Sequence, residues 1–286
     1  STLSSAIKSA EQELGFPIFL RAPAGVTTTA EGERFIKLAW EINVRYEALK
    51  CLKGQNEEDA MPLQVLMSPC VNAGLALPLS RRFYEFELRG DLVLEEVRGT
   101  EIAAAIGRDE ASLGVAHMTA PMLEAFQRQH ERTVQVEVLY RDYACLLVPA
   151  DHRLAGWASI QVEDLSGERV ATISDYWNMQ NNSFLDSVER VAAQVISFPN
   201  LPAMKQAVRE LGMVGVSTLY VTQAGDLDHE AYRMVPFAEQ NDAAMLSVCL
   251  FYRNDRSPRY QERILISCIR DYFQSLPSTN RCPNYK

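Results

Sequence analysis

The sequence predicts an α/β protein made of two similar lobes, which follow a shorter N-terminal segment. Three observations support this fold class. From residue 63 onward, apolar strand-like runs alternate with helical stretches, as in βαβ units with a mostly parallel sheet. The order strand–helix–strand–helix–strand occurs twice, over 63–116 and over 170–216. The length of 286 residues, with 47% apolar and 23% charged side chains, is typical of a globular chain of about two domains.

Composition excludes several classes of protein. With 28 Lys+Arg against 37 Asp+Glu the net charge is −9, so we do not expect nucleic acid to bind over the whole surface. A small DNA-binding element is still compatible with this charge, because the net charge averages over domains. No apolar run approaches the ~20 residues that cross a bilayer, and no secretion signal opens the chain. The six cysteines form no C-x-x-C pair and share no metal-ligand spacing with histidine. We therefore expect a cytoplasmic protein with reduced thiols, no metal, no cofactor and no membrane contact.

The N-terminal segment begins with an amphipathic helix. Between Leu3 and Leu14 the apolar residues recur at spacings of four, three and four, and Gly15 then ends the helix. The β-prone stretches 18–20 and 26–28 flank a Pro/Gly turn, which predicts a small hairpin.

A second, longer helix follows the hairpin. The sequence Thr28–Glu31 has the pattern of a capping box, and apolar residues from Phe35 to Leu52 follow a heptad seam that Arg45 interrupts. We predict a linker and dimerisation helix over 30–53. A polar linker over 54–61 separates it from the lobes.

The rest of the chain passes between the lobes twice, which leaves a cleft with two hinges. We predict the first lobe over 62–140 and 245–276, the second over 141–244, and a tail over 277–286. The predicted strands are Leu63–Met67, Leu92–Val97, Leu113–Ala116, Val134–Tyr140, Ala144–Val148, Val170–Ile173, Val195–Phe198, Val214–Val216 and Leu246–Phe251. The predicted helices are Ala73–Phe86, Glu101–Ile106, Phe184–Ala193, Leu201–Leu211 and Arg259–Phe273.

Two strings near the start carry a family resemblance. They are Leu3–Lys8 with Glu13–Phe19, and then Gly25–Glu33, and weaker matches continue at Leu146–Leu154 and Gly212–Ser217. These strings resemble LysR-type transcriptional regulators, and the resemblance covers nearly the whole chain. It implies two Rossmann-like lobes of periplasmic-binding-protein type, preceded by a partial winged helix-turn-helix over 1–29 and by the dimerisation helix.

The same resemblance implies a DNA-reading helix and a wing. A recognition helix places its N-terminal residues in the major groove while nearby polar groups hold phosphates. The family usually has a basic residue where Ser5 stands, and residues 1–50 carry six basic and six acidic side chains. With the helix before Ser1 missing from the motif, we expect an N-terminally truncated chain that binds promoter DNA poorly; a merely solvated helix face is the plainer alternative. The implied DNA-binding residues are Ser1, Thr2, Ser4, Ser5, Lys8, Arg21, Gly25 and Thr27.

The predicted ligand site lies at the carboxyl ends of the strands. Open α/β sheets bind ligands there, where helix N-termini present free N–H groups, and these converging termini favour a small organic acid. The family's effector pockets resemble this edge, with hydroxyls on the polar group and apolar side chains on the body of the effector. Each Ser, Thr or Asn could instead cap its own helix. The candidate effector-binding residues are Ser68, Pro69, Cys70, Val71, Asn72, Thr100, His117, Met118, Ser174, Tyr176, Phe198, Asn200, Ser217 and Thr218.

Three functions remain open. An effector-responsive regulator that self-associates as a dimer or tetramer and binds promoter DNA is favoured. A two-lobed solute-binding protein would share the cleft but has no use for the 28–52 helix, and a two-lobed deaminase is a distant third. No G-x-S-x-G, H-E-x-x-H or G-x-x-x-x-G-K motif indicates an enzyme. Cys70 at a helix N-terminus would allow oxidant sensing, though no resolving cysteine is identifiable.

Overall fold

A computed structural model describes residues 2–22, 25–51, 61–130, 133–177, 183–223, 227–238 and 245–277. The chain divides into two compact units, Ser1–Asn56 and Glu57–Lys286. None of the described helices is long and apolar enough to span a membrane.

The N-terminal unit consists of two helices and a hairpin. The carboxylate of Glu11 accepts hydrogen bonds from the backbone N–H groups of Ile18 (2.7 Å) and Phe19 (3.1 Å), and so joins the first helix to the hairpin. The two strands pair antiparallel, with Phe19 opposite Thr28. The elements are α1 (Thr2–Leu14), β1 (Phe19–Ala22), β2 (Gly25–Thr28) and α2 (Ala30–Cys51).

The start of α2 differs from the predicted capping box at Thr28–Glu31. The hydroxyl of Thr29, one residue later, accepts from the N–H of Gly32 at 2.8 Å and donates to the carbonyl of Pro17 at 2.7 Å. The prediction was wrong because the strand β2 continues through Thr28. Further along α2, large apolar side chains are exposed: Ile36, Leu38, Ile42, Tyr46 and Leu49.

The second unit is a mixed α/β structure. Its strands are β3 (Leu63–Met67), β4 (Leu92–Glu96), β5 (Leu113–Met118), β6 (Val134–Pro149), β7 (Arg169–Ile173), β8 (Gln194–Phe198), β9 (Val214–Thr218), β10 (Tyr232–Pro236) and β11 (Met245–Arg253). Its helices are α3 (Pro69–Glu85), α4 (Gly99–Gly107), α5 (Ala120–His130), α6 (Ser174–Trp177), α7 (Ser183–Val191), α8 (Leu201–Leu211), α9 (Leu219–Gln223) and α10 (Tyr260–Ser275).

The sheet contains the same three-strand pattern twice. Its order is β4-β3-β5-β11-β6-β9-β7-β8, with β10 paired to β6. In both repeats the first strand is central and pairs in parallel with the next two: β3 with β4 and β5, and β7 with β8 and β9. Strands β11 and β6 are antiparallel to their neighbours and join the repeats. We call β3, β4, β5 and β11 with α3, α4, α5 and α10 lobe I, and β7 to β10 with α6 to α9 lobe II.

Several elements differ from the sequence prediction, among them the short helices α6 and α9, which were not predicted. The two strands predicted over 134–140 and 144–148 are one strand, β6, which runs through both lobes. The helix α5 and the strand β10 were missed. Helix α5 packs on lobe I through Phe126, whose ring lies edge-on to Phe251 at 5.4 Å between centroids.

Each lobe has its own apolar core, and close packing fixes the position of α4 in lobe I. A Cβ on Gly114 would lie 2.1 Å from Ile102 Cγ2, so only glycine at this point of β5 lets α4 approach so closely. Cys70, from the first turn of α3, is buried within the core of lobe II, among residues such as Leu146 and Val216. Helix α3 therefore links the two lobes by packing.

Candidate functional site

The two lobes meet through a buried carboxylate. Asp175 lies two residues after the end of β7 in lobe II, and Gly99 is the first residue of α4 in lobe I. The N–H of Gly99 donates to Asp175 Oδ1 at 2.8 Å, and the Asp175 side chain is 3% exposed. A Cβ on residue 99 would lie 3.4 Å from Asp175 Oδ2, which is a van der Waals contact, so the carboxylate packs directly against this glycine. The carboxylate of one lobe thus caps a helix of the other.

Burial makes ionisation of this carboxyl group costly. It raises the pKa of Asp175 to about 6, although the Gly99 N–H and the nearby His117 and Arg98 oppose the shift. The second oxygen, Oδ2, has no hydrogen-bond partner among the described residues. Asp175 therefore enters the interlobe contact with one oxygen bonded and one free.

A second buried pair lies beside it. His117 Nε2, at the end of β5, lies 2.8 Å from Asp142 Oδ2 on β6, and both side chains are fully buried. The other oxygen of Asp142 accepts from the N–H groups of Tyr143 (2.8 Å) and Tyr220 (3.0 Å). Because Tyr220 belongs to α9, Asp142 connects β5 of lobe I with a helix of lobe II.

Tyr220 also connects the lobes through its hydroxyl. Its oxygen lies 3.0 Å from the hydroxyl of Tyr272 on α10 and 3.4 Å from the carbonyl of Val71 on α3. Tyr272 in turn donates to the carbonyl of Gly74 at 3.1 Å. Burial raises the pKa of Tyr220 well above its usual value of 10, so this phenol stays protonated and available as a donor.

The carboxyl ends of β7 and β9 contain buried polar atoms that make no hydrogen bond. Since β7 and β9 are parallel neighbours, their carboxyl ends share one edge of the sheet. A buried polar group without a partner is costly and calls for an explanation such as a ligand or water. Within the described part of the chain, all such side-chain atoms belong to lobe II: those of Thr172, Asp175, Ser217, Thr218 and Thr222.

Comparison with known proteins identifies this architecture. Residues 56–274 match a family model described as the LysR substrate binding domain. The chain belongs to the LysR-type regulator family. A search of curated proteins gave no match.

Solved structures of LysR proteins share the fold. A full-length OxyR variant from Pseudomonas aeruginosa has 20% identity and a TM-score of 0.57, with 94% of this chain and 90% of that chain covered. Full-length BenM has 15% identity and a TM-score of 0.59, with coverages of 96% and 87%. CbnR, described as a LysR family transcriptional regulator, has 12% identity and a TM-score of 0.56, with coverages of 94% and 90%. These likenesses concern the two-lobed, periplasmic-binding-protein-like fold.

The residues predicted for the LysR effector site fall into three groups. Ser68, Cys70, Val71, His117, Met118, Ser217 and Thr218 are buried at strand ends or in the first turn of α3. Ser68 makes no side-chain cap; its hydroxyl accepts from the N–H of His117 at 3.4 Å. Pro69 is the first residue of α3, and Ser174 and Phe198 are half-buried.

The third group has other partners or lies in solvent. Asn200 caps α8 by accepting from Ala203 N–H at 3.0 Å, and Asn72 donates to Glu96 at 2.8 Å. Thr100 is exposed. The side chain of Tyr176 lies outside the described residues.

The residues predicted to read DNA lie on α1 and the hairpin. Ser4, Ser5 and Lys8 are exposed on α1, and Thr27 is exposed on β2. Thr2 begins α1 and Gly25 begins β2, while Arg21 lies in β1. Ser1 lies outside the described residues.

The described cysteines and metal-ligating side chains do not indicate a reactive thiol or a metal site. Cys70, Cys145, Cys249 and Cys268 are buried thiols. Burial raises the pKa of the Cys249 and Cys268 thiols to about 12, so these thiols carry little of the reactive thiolate. Cys70 is 1% exposed, which disfavours its use as an oxidant sensor. Within the described ranges, no group of three or more His, Cys, Asp or Glu is placed to hold a metal ion.

Sequence reasoning missed most of the residues that join the two lobes or carry unpartnered buried polar atoms, which together we call the junction. Asp175 lies between the candidates Ser174 and Tyr176 but was given no role, and Asp142, Thr172, Tyr220 and Thr222 were not singled out. One signal was available for Asp142, which is a charged residue directly before the apolar run 143–148 of the 16-residue strand β6. A charge in such a position is buried only with partners.

Proposed function

We propose that this LysR-type chain is an effector-responsive transcriptional regulator that binds a small molecule between its two lobes and binds promoter DNA. The observation that carries the proposal is the set of unpartnered buried polar atoms at the carboxyl ends of β7 and β9. A ligand at this edge would supply the missing hydrogen bonds. We propose that the candidate effector-binding residues at the strand ends, from Ser68 to Thr218, surround this ligand and have no catalytic role. We also propose that the protein acts in the cytoplasm.

Coupling to DNA follows from the interlobe contacts. An effector can change DNA occupancy only by favouring one lobe arrangement over another, and coupling of about 1–3 kcal/mol is typical. The Gly99–Asp175 bond and the Tyr220 hydroxyl contacts join the lobes, so their strength depends on how the lobes are arranged. These are the contacts that we expect an effector to change.

The proposed DNA-reading surface comprises α1 and the hairpin. The exposed Ser4, Ser5 and Lys8 lie on one stretch of α1, as a helix docked in a major groove requires. Because residues 1–50 have no net charge, few phosphates would be neutralised. The affinity should therefore fall only shallowly with salt.

Self-association is proposed through α2. The exposed apolar side chains of Leu38, Ile42 and Leu49 follow the heptad seam predicted from the sequence. A lone chain would leave this stripe in water, which is unfavourable. We expect sedimentation equilibrium to show a dimer or tetramer that Ile42→Glu weakens. The exposed Arg34→Glu on the same helix is the control, and a monomeric wild-type chain would contradict the proposal.

The function is tested by selecting genomic fragments. The chain is incubated with fragmented genomic DNA, and the bound fragments are sequenced with and without a pool of small metabolites. We expect enrichment of defined promoter fragments that changes with the pool. Enrichment that the pool leaves unchanged would remove the effector half of the proposal, and random recovery would remove the DNA half.

A further inference from the structure

The N-terminus of α4 already holds an anion that belongs to the chain itself. Helix α4 is 9 residues long, and the N–H groups of its first turn have no partner within the helix, so this end attracts negative charge. The Asp175 carboxylate of lobe II occupies that position at 2.8 Å from Gly99 N. Its second oxygen is buried and unpartnered.

We propose that Asp175 is the residue that determines effector specificity. It fills the anion site of α4 from within the chain, so the cleft excludes a free carboxylate and admits a ligand whose protonated amine or amide N–H bonds to Asp175 Oδ2. This inference rests on the proposed effector function of the cleft. It replaces the organic acid that the converging helix N-termini indicated.

Exclusion of an acid follows from the charges at this edge. A ligand carboxylate would have to displace Asp175 from Gly99 or lie beside it, and two like charges in a poorly solvated site disfavour each other. The described buried polar side chains include no lysine or arginine that could offset a second negative charge. Arg98, the cation that acts on Asp175, is exposed and lies 3.7 Å from the carboxylate of Glu101. The nearby His117 is already paired with Asp142.

The preference for a ligand with a hydrogen-bond donor follows from the acceptor that has no partner at this edge of the sheet. An ionised Asp175 Oδ2 can only accept a hydrogen bond. The buried hydroxyls of Thr172, Ser217 and Thr218 can donate or accept, and none has a partner among the described residues. A ligand with a donor for the carboxylate and a further polar group for a hydroxyl at the strand ends would satisfy both kinds of group, whereas a lone carboxylate could bond only to the hydroxyls.

Refilling the anion site with acetate tests the proposal directly. Asp175→Ala removes the built-in carboxylate and leaves the N–H of Gly99 open, so sodium acetate should bind and raise Tm. At about ten times its dissociation constant the rise should be roughly 2–5 °C over sodium chloride at equal ionic strength. The wild-type protein and Asp175→Asn, whose amide still fills the site, should show no such rise. Asp186→Ala, an exposed aspartate of α7, controls for general effects of the mutation.

Either of two results would contradict the claim that the Asp175 carboxylate fills the anion site of α4. The first is that acetate stabilises the wild type as much as Asp175→Ala, and the second is that it stabilises neither. Asp175→Ser, which also opens the site but keeps a polar group, provides the same measurement if Asp175→Ala does not fold.

A paired ligand panel tests the chemical class. Primary amines and carboxylic acids with the same carbon skeletons are screened by thermal shift against the wild type and Asp175→Ala. Hits on the wild type should be amines, and the variant should shift towards acids. Acids preferred by the wild type would refute the specificity role. If acetate refills the variant but no panel member binds the wild type, the built-in anion stands and the proposed effector function fails.

Discussion

The two lobes share a strand order but differ in how their buried polar groups are satisfied. In lobe I every buried polar residue that the structure describes has a partner for its side chain: Ser68, Ser112, His117, Thr119, Gln261 and Glu262. In lobe II every described buried polar residue has an unpartnered atom: Thr172, Asp175, Ser217, Thr218 and Thr222. The shared strand order therefore does not determine whether the buried polar groups of a lobe have hydrogen-bond partners. Lobe I is organised before any ligand arrives, whereas lobe II keeps hydrogen-bonding capacity in reserve.

The largest effect on stability should come from removing the buried Asp142 carboxylate, which is hydrogen-bonded through both of its oxygens. Asp142→Ala leaves His117 Nε2 and the N–H groups of Tyr143 and Tyr220 without their acceptor in a fully buried site. We expect the free energy of unfolding, measured in urea, to fall by about 3–5 kcal/mol. Glu137→Ala, which removes a partly exposed partner of Arg270, should cost at most about 1 kcal/mol. Equal losses would show that the buried network is not special.

The next effect concerns the charge at the interlobe junction. The pKa of Asp175 is about 6 in the folded protein, against an ordinary 3.8. A carboxyl whose pKa is raised by folding stabilises the folded state fully below the unfolded pKa, and this contribution is lost as pH rises through the folded pKa. From pH 4 to pH 7 the wild type should therefore lose up to about 3 kcal/mol relative to Asp175→Asn.

Urea titrations at several pH values measure this difference. The comparison with Asp175→Asn cancels the contributions of groups that do not interact with this carboxyl; His117, Arg98 and Glu101 are the charged or titratable groups that do. A stability difference that is constant from pH 4 to pH 7 would contradict the burial of an ionisable Asp175.

Much of the fold could be predicted from the sequence because its signals are local. The repeated βα pattern predicted both three-strand sets, and the limits of β3 and α8 agree with the structure. Helix α5 was missed because Pro121 reads as a turn, although proline is favoured at the start of a helix. Strand β6 was divided because the charged Asp142 reads as a break.

The junction could not be predicted because it depends on distant contacts. Gly99 and Asp175 are 76 residues apart, and only the pairing of two lobes brings them together. A sequence pattern places Asp175 at a strand end but does not show that it is 97% buried or that one oxygen lacks a partner. Equally, Asn200 and Ser68 read alike as helix caps, yet only Asn200 caps its helix with its side chain.

A smaller effect should follow from loosening the join between the lobes. Tyr220→Phe removes the hydroxyl contacts with Tyr272 and the carbonyl of Val71. We expect a loss of about 1–2 kcal/mol in the free energy of unfolding, because the buried partners lose one hydrogen bond. Tyr84→Phe, in an exposed position on α3, should change nothing measurable. If the two substitutions cost the same, Tyr220 joins the lobes by packing alone.

The smallest effects give the most direct test of the difference between the lobes, because the same substitution can be made in each. Ser112→Ala in lobe I removes the acceptor of Arg259 Nη2 at 2.9 Å and should cost about 1 kcal/mol. Ser217→Ala in lobe II removes a buried hydroxyl that has no partner, so the free energy of unfolding should stay constant or rise by up to about 1 kcal/mol. Effector binding should show the reverse order, with Ser217→Ala weakening it and Ser112→Ala leaving it unchanged. Equal destabilisation by both substitutions would mean that the Ser217 hydroxyl already has a hydrogen-bond partner without a ligand. The proposed difference between the two lobes would then be wrong.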